Sequence, residues 1–434
     1  MAKDGIIFIV KINSKEDFNM LIPEKRIADF EKLGFGLFIH WGLYSQVGKG
    51  EWYFYHEEDL TFPEYMKLKD TFTAETFDAD FIAKTAKEAG CKYITLTTRH
   101  HEGFSLYDTK GLNDFDAPNS PAKRDLVREF VDACRKYDLI PFFYHTTLDW
   151  YNEDYKNNFD EYLEYLRKSV EILCTNYGKI GGLWFDGNWD KPDADWKLDE
   201  LYGTIRKHQP DAMIINNTGL SARGELGHPE IDAVTYEQGR PEPLDRSKMS
   251  KYITGEMCYT MNDHWAVGYN DLDYKSTREL IECLCDCRKV GANYLLNIGP
   301  AAQGDIIPIQ AEFLKTMGRW NAVYGEAIYE GKPYTICEGS KDFILKNGED
   351  DKVLYLFAYD LGRLGSENVV LNGGGGGKDR KFKLLDGAIV KELKWMDNDE
   401  VLAFKQDGEN LEVACTGFPY GCNYCVRVAK VTLA

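Results

Sequence analysis

The feature that most constrains this chain is a repeated alternation of short apolar runs with amphipathic helical patterns over its first three quarters. The runs are rich in β-branched and aromatic residues, and the helical stretches carry apolar residues at intervals of three and four. Consecutive parallel strands need such crossover helices, and eight repeats can close into a barrel. The predicted strands are 35–41, 93–98, 140–145, 182–186, 213–216, 233–238, 253–258 and 293–298.

Helical patterns follow most of these strands but not all of them. The predicted helices include 81–89, 123–136, 159–176, 199–208 and 276–290. The stretches after the fifth and sixth strands lack a helical pattern, and we expect loops there. The sequence therefore predicts an α/β fold, a (β/α)8-type (TIM-like) barrel that occupies residues 1–330.

The last hundred residues show a different pattern, in which strands follow one another without helices. Apolar and polar residues alternate there, and turn signals such as Asn347-Gly348 and Asp407-Gly408 separate the runs. This pattern predicts a C-terminal β-sandwich over residues 331–434.

The charge of the chain excludes some partners. With 71 acidic and 52 basic residues, its formal net charge is -19. Such a chain repels phosphate backbones and anionic lipid surfaces, so we expect no nucleic-acid partner. No stretch approaches the roughly 20 apolar residues that span a bilayer, so we expect no membrane partner either. A homo-oligomer stays open.

The cysteines and the N-terminal residues indicate the cellular compartment of the protein. The eleven cysteines are an odd number scattered along the chain, which is typical of reduced thiols in a cytoplasmic protein. The apolar run at residues 5–10 is shorter than a usual signal-peptide core. Both observations predict a cytoplasmic protein, although an export signal that has been removed stays open. Cys422 and Cys425 resemble half a zinc site, but no second pair accompanies them.

Chemistry on a barrel of this kind is expected at the carboxyl ends of the strands. Those positions carry imidazoles, carboxylates, amides and indoles, a set that can bond the hydroxyls of a sugar and stack on its apolar face. In strand order they are His40, His100-His101-Glu102, Tyr144, Trp184-Phe185-Asp186, Asn216-Asn217, Tyr236-Glu237, Glu256 and Asn297.

Two of these carboxyl groups suit glycoside hydrolysis, which commonly uses a pair of them. Asp186 ends an apolar strand, and Gly187 behind it allows a sharp turn that would leave the carboxylate facing a pocket. Glu237 ends its own strand in a partly apolar setting that would raise its pKa toward that of a general acid. From spacing alone, Asp186 can equally cap the next segment and Glu237 can be a solvated loop residue.

The residues at the end of the second predicted strand could alternatively bind a metal ion. Here His100, His101 and Glu102 are adjacent, whereas the two histidines of a helical zinc motif are four residues apart. Neighbouring residues of a strand point to opposite sides, so they rarely bind one ion. We therefore expect no metal ion and no cofactor. His40 can likewise be an ordinary core histidine.

Five sequence blocks carry a specific resemblance. They are 35–42 (FGLFIHWG), 51–53 (EWY), 98–104 (TRHHEGF), 183–187 (LWFDG) and 295–300 (LLNIGP). In this order they resemble the α-L-fucosidases of glycoside hydrolase family 29. The similarity runs from about residue 22 to the end of the barrel, and the C-terminal part resembles the family's accessory sandwich in position and strand content only.

The resemblance implies roles for individual residues. Asp186 matches the family's nucleophile, and Glu237 is the better match to its acid/base, with Glu256 as the alternative. Trp265 matches an aromatic residue that contacts the C5 methyl group of fucose. The other positions that match residues holding the sugar or lining its pocket are His40, Glu51, Trp52, His100, His101, Tyr144 and Trp184.

The resulting hypothesis is a retaining exo-α-L-fucosidase that acts on fucosylated glycans through a covalent intermediate on Asp186. Two other hypotheses stay open: a fucose-binding barrel without catalysis, and a metal-dependent hydrolase that uses His100, His101 and Glu102. The glycosidic linkage that is cleaved depends on loops beyond the sugar pocket and is not predicted.

Overall fold

The structure of the protein is a computed structural model. It describes residues 21–56, 60–218, 227–247, 249–337, 339–366 and 376–434. The apolar run at residues 5–10 lies outside the described residues.

Eight parallel strands form a closed barrel in the order β1 to β8, which confirms the predicted fold class. Every strand pairs with its sequence neighbours, and β8 closes the barrel on β1. The strands are β1 (Phe35–Ile39), β2 (Tyr93–Arg99), β3 (Ile140–Thr146), β4 (Gly182–Asp186), β5 (Met213–Asn217), β6 (Ala233–Glu237), β7 (Thr254–Tyr259) and β8 (Asn293–Ile298).

Eleven helices occur in the part of the chain that is described. The longer ones pack around the barrel, and the described residues between β5 and β7 contain none. The helices are α1 (Lys25–Glu31), α2 (Tyr44–Val47), α3 (Tyr53–His56), α4 (Phe62–Met66), α5 (Ala79–Ala89), α6 (Leu126–Lys136), α7 (Asp154–Asn157), α8 (Phe159–Asn176), α9 (Leu198–His208), α10 (Thr277–Val290) and α11 (Pro308–Glu330).

Local sequence explains where several helices begin. Asp78, Asp125 and Ser276 precede α5, α6 and α10, and each side chain accepts a hydrogen bond from a backbone amide three residues later. Such caps satisfy amides that lack a partner within the helix. The short helices α2, α3, α4 and α7 lie in loops above the strands and were not predicted, because four or five residues are too few to show a period.

Two antiparallel sheets follow α11 and enclose a second core, as the predicted β-sandwich requires. Side chains of β11, β12, β13 and β15 meet in this core, and Trp395 is fully buried in it. One sheet has the order β13-β16-β11-β10-β9 and the other the order β12-β15-β14. The strands are β9 (Gly331–Ile336), β10 (Phe343–Asn347), β11 (Val353–Ala358), β12 (Lys378–Lys383), β13 (Val390–Trp395), β14 (Phe404–Asp407), β15 (Asn410–Cys415) and β16 (Arg427–Leu433).

The other face of the five-stranded sheet packs on the barrel. Trp320 of α11 is buried and donates a hydrogen bond from Nε1 to the backbone oxygen of Val426 (3.0 Å). Glu326 of the same helix accepts a hydrogen bond from Tyr355 of β11 (2.8 Å). The division into domains at residue 330 stays a prediction.

Candidate active site

A pocket opens at the carboxyl ends of the barrel strands, where the sequence places the candidate site. Nine of the ten residues that we named for sugar binding or catalysis, Asp186 among them, line this pocket. The lining residues are Phe38, His40, Trp52, His100, His101, Tyr144, Trp184, Asp186, Trp189, Asn217, Glu237 and Trp265.

Asp186 is the last residue of β4, and the backbone turns away from the strand directly after it. Gly187 has a φ of 113°, and a Cβ atom at this position would lie 2.7 Å from the backbone nitrogen of Leu148. Only glycine accommodates both the left-handed backbone and this close approach. The turn leaves the Asp186 carboxylate at the pocket, as predicted.

Four side chains surround the Asp186 carboxylate. Oδ1 accepts hydrogen bonds from Trp189 Nε1 (2.8 Å) and Asn217 Nδ2 (3.4 Å). Oδ2 accepts one from the Tyr144 hydroxyl (3.1 Å) and lies 3.5 Å from Nε2 of His101. Burial alone would raise the pKa of Asp186, but the interactions with His101, Trp189 and Tyr144 outweigh it and hold this pKa below the ordinary value. Asp186 is therefore an anion at neutral pH.

Glu237 is the last residue of β6 and is linked to Asp186 through one amide group. Asn217 Nδ2 donates to Glu237 Oε2 (2.6 Å) as well as to Asp186 Oδ1 (3.4 Å). The sum of these two distances is the largest possible separation of the two carboxyl oxygens, so they lie at most 6.0 Å apart. Retaining glycosidases hold their carboxyl groups about 5–5.5 Å apart and inverting ones about 6.5–9.5 Å.

Glu256, the alternative acid/base, lies deeper in the barrel. It is the third residue of β7, is 1% exposed and is not among the lining residues. Its two oxygens accept hydrogen bonds from the Tyr93 hydroxyl (2.5 Å) and from Trp184 Nε1 (2.9 Å). Burial raises the pKa of Glu256 to about 7. The carboxyl group thus supports the indole that lines the pocket and does not face the pocket itself.

His40 is held by an amide that fixes which ring nitrogen carries the proton. Asn297 Nδ2 donates to the backbone oxygen of Trp265 (2.6 Å), so Asn297 Oδ1 is the atom that faces His40 Nδ1 (2.6 Å). An amide oxygen only accepts, so Nδ1 carries the proton. Burial lowers the pKa of His40 to about 3, which keeps the ring neutral. Nε2 is then a hydrogen-bond acceptor.

His101 is fixed by a similar chain. The Thr146 hydroxyl donates to the backbone oxygen of Leu148 (2.6 Å), so its oxygen accepts from His101 Nδ1 (2.7 Å). The other ring nitrogen then faces Asp186. His101 therefore connects the second strand end with the carboxylate at the fourth.

A family profile described as alpha-L-fucosidase matches residues 14–326. The chain therefore belongs to the α-L-fucosidases of glycoside hydrolase family 29. Mouse tissue alpha-L-fucosidase is 31% identical over 359 residues, which are 76% of this chain and 77% of that protein. The solved alpha-L-fucosidase isoenzyme 1 of Paenibacillus thiaminolyticus is 30% identical with a TM-score of 0.79, covering 94% of this chain and 99% of its own.

A second solved relative, the alpha-L-fucosidase of Vibrio sp. strain EJY3, is 25% identical with a TM-score of 0.80, covering 96% of this chain and 74% of its own. These matches extend through the C-terminal sheets, whereas the family profile covers the barrel. The family predicted from the sequence blocks and the barrel-plus-sandwich architecture predicted from the strand and helix patterns are therefore confirmed.

Three pocket residues of this family member were not named as site residues from the sequence. Phe38 and Trp189 line the pocket, and Asn217 bridges the two carboxyl groups. Asn217 was noted at a strand end, but its contact with both carboxylates depends on the register of β5 beside β4, where it lies opposite Asp186. Trp189 lies only three residues after Asp186, and that spacing was the available signal.

Glu51 lies behind the pocket wall. It is 5% exposed and is not among the lining residues. Its Oε2 accepts a hydrogen bond from the backbone nitrogen of Ala266 (2.9 Å), next to Trp265. Burial raises the pKa of Glu51. The structure thus places this carboxyl group where it holds the Trp265 segment, although the resemblance implied that it belongs to the sugar pocket.

The metal alternative finds no support in the geometry. Among the described residues, no three His, Cys, Asp or Glu side chains converge as ligands of one ion. His101 Nδ1 bonds Thr146, and Glu102 lies below the pocket beside His100. Cys283, Cys285 and Cys287 are fully buried in α10.

Proposed function

We propose that this chain is a retaining exo-α-L-fucosidase that releases terminal α-L-fucosyl residues from fucosylated glycans. The observation that carries the proposal is the single amide nitrogen of Asn217, which contacts both Asp186 and Glu237. It keeps a charged carboxylate and a second carboxyl group at most 6.0 Å apart, which is closer than the separation typical of inverting enzymes and supports a double displacement.

In the first step, Asp186 attacks the anomeric carbon while the glycosidic bond to the leaving oxygen breaks. Glu237 gives its proton to that oxygen, so the aglycone leaves as an alcohol. In the second step, Glu237 takes a proton from water, and the water oxygen displaces Asp186 from the anomeric carbon. Two inversions release L-fucose with retained configuration.

The low pKa of Asp186 fits the role of nucleophile. A carboxyl group must be ionised to act as a nucleophile, and the contacts of Asp186 with His101, Trp189 and Tyr144 favour its charged form. The same donors lie in position before the reaction, so they need little rearrangement when the negative charge of Asp186 is lost in the covalent bond and restored as water displaces it.

The walls of the pocket fit a 6-deoxy sugar. Phe38 and Trp265 meet edge to face with ring centroids 5.9 Å apart, and both line the pocket. Such an apolar surface suits the C5 methyl group of fucose, while His40 Nε2 offers an acceptor to a hydroxyl. His100 and Trp52 complete the polar and aromatic lining.

The test is hydrolysis of 4-nitrophenyl α-L-fucoside, followed by proton NMR of the first sugar released. We expect α-L-fucose to appear first and to mutarotate later. First release of β-L-fucose would contradict a retaining mechanism, and no release of 4-nitrophenol would contradict the activity. Asp186→Ala should not release 4-nitrophenol at a rate comparable to that of the wild type. Asp190→Ala is its matched control, because Asp190 follows in the same loop but accepts a hydrogen bond from Tyr155 (2.6 Å) and does not line the pocket.

For the compartment, we propose the cytoplasm. All eleven cysteines are free thiols, and a reducing compartment preserves such thiols. No helix among the described residues is both long and apolar enough to cross a membrane. Fractionation of the source cells with assay of each fraction tests the location, and activity confined to the medium would contradict it.

A further inference from the structure

His100 lines the pocket, and its inner ring nitrogen, Nδ1, has no hydrogen-bond partner. The ring is 5% exposed and stacks on Tyr144 with centroids 5.5 Å apart and planes 14° apart. Its Nδ1 is enclosed by protein and makes no hydrogen bond. Nε2 is therefore the ring nitrogen available to a sugar, and what it offers depends on which nitrogen carries the proton.

The carboxyl group of Glu102 lies near that inner nitrogen and has no side-chain hydrogen-bond partner. It is 1% exposed, and neither carboxyl oxygen makes a hydrogen bond of good geometry, although the backbone amides of Leu43 and of Glu102 itself lie near it and oppose the effect of burial on its pKa. Oε2 lies 3.7 Å from His100 Nδ1. Closing this gap by well under 1 Å would satisfy both groups, and buried polar atoms are rarely left without a partner.

We propose that Glu102 is a positioning residue that donates a hydrogen bond to His100 Nδ1 and thereby keeps the proton of His100 on Nε2, facing the sugar. This inference rests on the proposed function for its substrate. It assigns Glu102 a role that the fucosidase chemistry of Asp186 and Glu237 does not include.

The location of the protons follows from burial. Burial raises the pKa of Glu102 to about 8 and lowers that of His100 well below its ordinary value. At neutral pH the pair is thus a carboxylic acid beside a neutral imidazole, and the acid is the donor. The other titratable groups that act on Glu102 are one cation and three acids: Arg99, Asp149, Tyr44 and Tyr65.

As a consequence, two neighbouring histidines offer the sugar different hydrogen-bonding groups. The rings of His40 and His100 lie 5.6 Å apart, and both line the pocket. Asn297 makes His40 Nε2 an acceptor, whereas Glu102 makes His100 Nε2 a donor. The site can therefore bond one sugar hydroxyl through its hydrogen and another through its oxygen.

The direct test is nitrogen-15 NMR of histidine-labelled full-length protein at pH 7, with His100 assigned by its loss in His100→Gln. We expect the Nε2-protonated tautomer of His100 and the Nδ1-protonated tautomer of His40. An Nδ1-protonated His100 would overturn the proposal. The spectrum does not depend on turnover, so it decides the proposal even if the protein fails to hydrolyse fucosides.

Binding of L-fucose, measured by calorimetry, provides a second test. At pH 7, Glu102→Gln should bind like the wild type, because its amide NH2 donates to Nδ1. Glu102→Leu should bind about tenfold more weakly, the loss expected for one hydrogen bond. Equal affinity of the leucine variant and the wild type would contradict the proposal.

The pH dependence keeps the proposal falsifiable if Glu102→Leu does not fold. Above pH 8 the wild-type acid loses its proton, its carboxylate draws the His100 proton to Nδ1, and affinity for L-fucose should fall about tenfold. Glu102→Gln cannot ionise and should keep its affinity up to pH 9. Identical pH profiles for the two proteins would overturn the proposal.

Discussion

The rim of the barrel and the layer just inside it each contain a carboxyl group that accepts hydrogen bonds from neighbouring side chains. At the rim, Asp186 has three hydrogen-bond donors and a nearby imidazole, and its pKa is lowered. In the layer below, Glu256 has two donors, and its pKa is raised to about 7. Burial raises the pKa of both groups, and the interactions with His101, and then with Trp189 and Tyr144, decide the difference at the rim.

From this comparison we propose that the depth of a residue along its strand distinguishes catalytic from supporting carboxyl groups in this barrel. A residue at the end of a strand meets side chains of the loops, such as Trp189, which add donors. The third residue of a strand meets only the other strands, here through Tyr93 and Trp184. The four predictions below test this division.

Asp186→Ala should produce the largest effect. Without the nucleophile no covalent intermediate can form, so we expect kcat on 4-nitrophenyl α-L-fucoside to fall by on the order of 10⁴-fold or more. Asp190→Ala, in the same loop, should stay close to the wild type. Near-normal turnover of Asp186→Ala would remove Asp186 from the mechanism.

Glu237→Ala should lower kcat/KM on a fucosyl oligosaccharide by about 10²- to 10⁴-fold, the contribution typical of a general acid. The loss should be much smaller on 2,4-dinitrophenyl α-L-fucoside, whose leaving group needs no proton, and azide should accelerate turnover of this substrate. The same assays on Glu256→Ala form the comparison. Azide rescue of Glu256→Ala, without rescue of Glu237→Ala, would reverse the assignment.

Asn217→Ala removes the amide that joins the two carboxyl groups and should lower kcat by about 10- to 100-fold, since hydrogen bonds to charged groups contribute roughly 1.5–3 kcal/mol. Asn216→Ala is the matched control. Its amide bonds Tyr202 (2.8 Å) and Asn188 (3.0 Å) and makes no contact with either carboxyl group. Equal losses in the two variants, at equal melting temperatures, would show that the bridge has no special role.

Glu256→Gln should have the smallest effect on activity and a clear effect on stability. A carboxyl group whose pKa is raised on folding costs stability as pH increases from the unfolded value of about 4.5 to the folded value of about 7. The cost reaches on the order of 3 kcal/mol above pH 7. Urea unfolding at several pH values should show this decline in the wild type and a flatter profile in Glu256→Gln. Parallel profiles would contradict the raised pKa.

Much of the fold and part of the site could be predicted from the sequence. All eight barrel strands were located to within two residues at each end, because apolar runs bounded by polar loops are strong signals. The position of Asp186 at the pocket was predicted from the Gly187 turn and the shared sequence blocks, and its role as nucleophile stays a prediction. The reach of a side chain across strands could not be predicted, which is why the contact of Asn217 with two carboxylates was missed.

The depth at which a side chain lies within the barrel was the second feature that could not be predicted from the sequence. Glu256 and Glu237 both lie in apolar strands, and their sequence surroundings do not show which one reaches the pocket. The offset of three residues between Glu256 and the end of β7 at Tyr259 decides it. Glu51 was assigned to the pocket for a similar reason, since a loop residue can face either side of the wall that it forms.

Covalent trapping tests the central claim most directly. The enzyme is incubated with 2-deoxy-2-fluoro-α-L-fucosyl fluoride, digested with a protease and examined by peptide mass spectrometry. We predict that one fluorofucosyl group is attached to the peptide that contains Asp186, and that Asp186→Ala acquires none. A label on Glu237 or Glu256, or full turnover of fucosides without any label, would contradict the account.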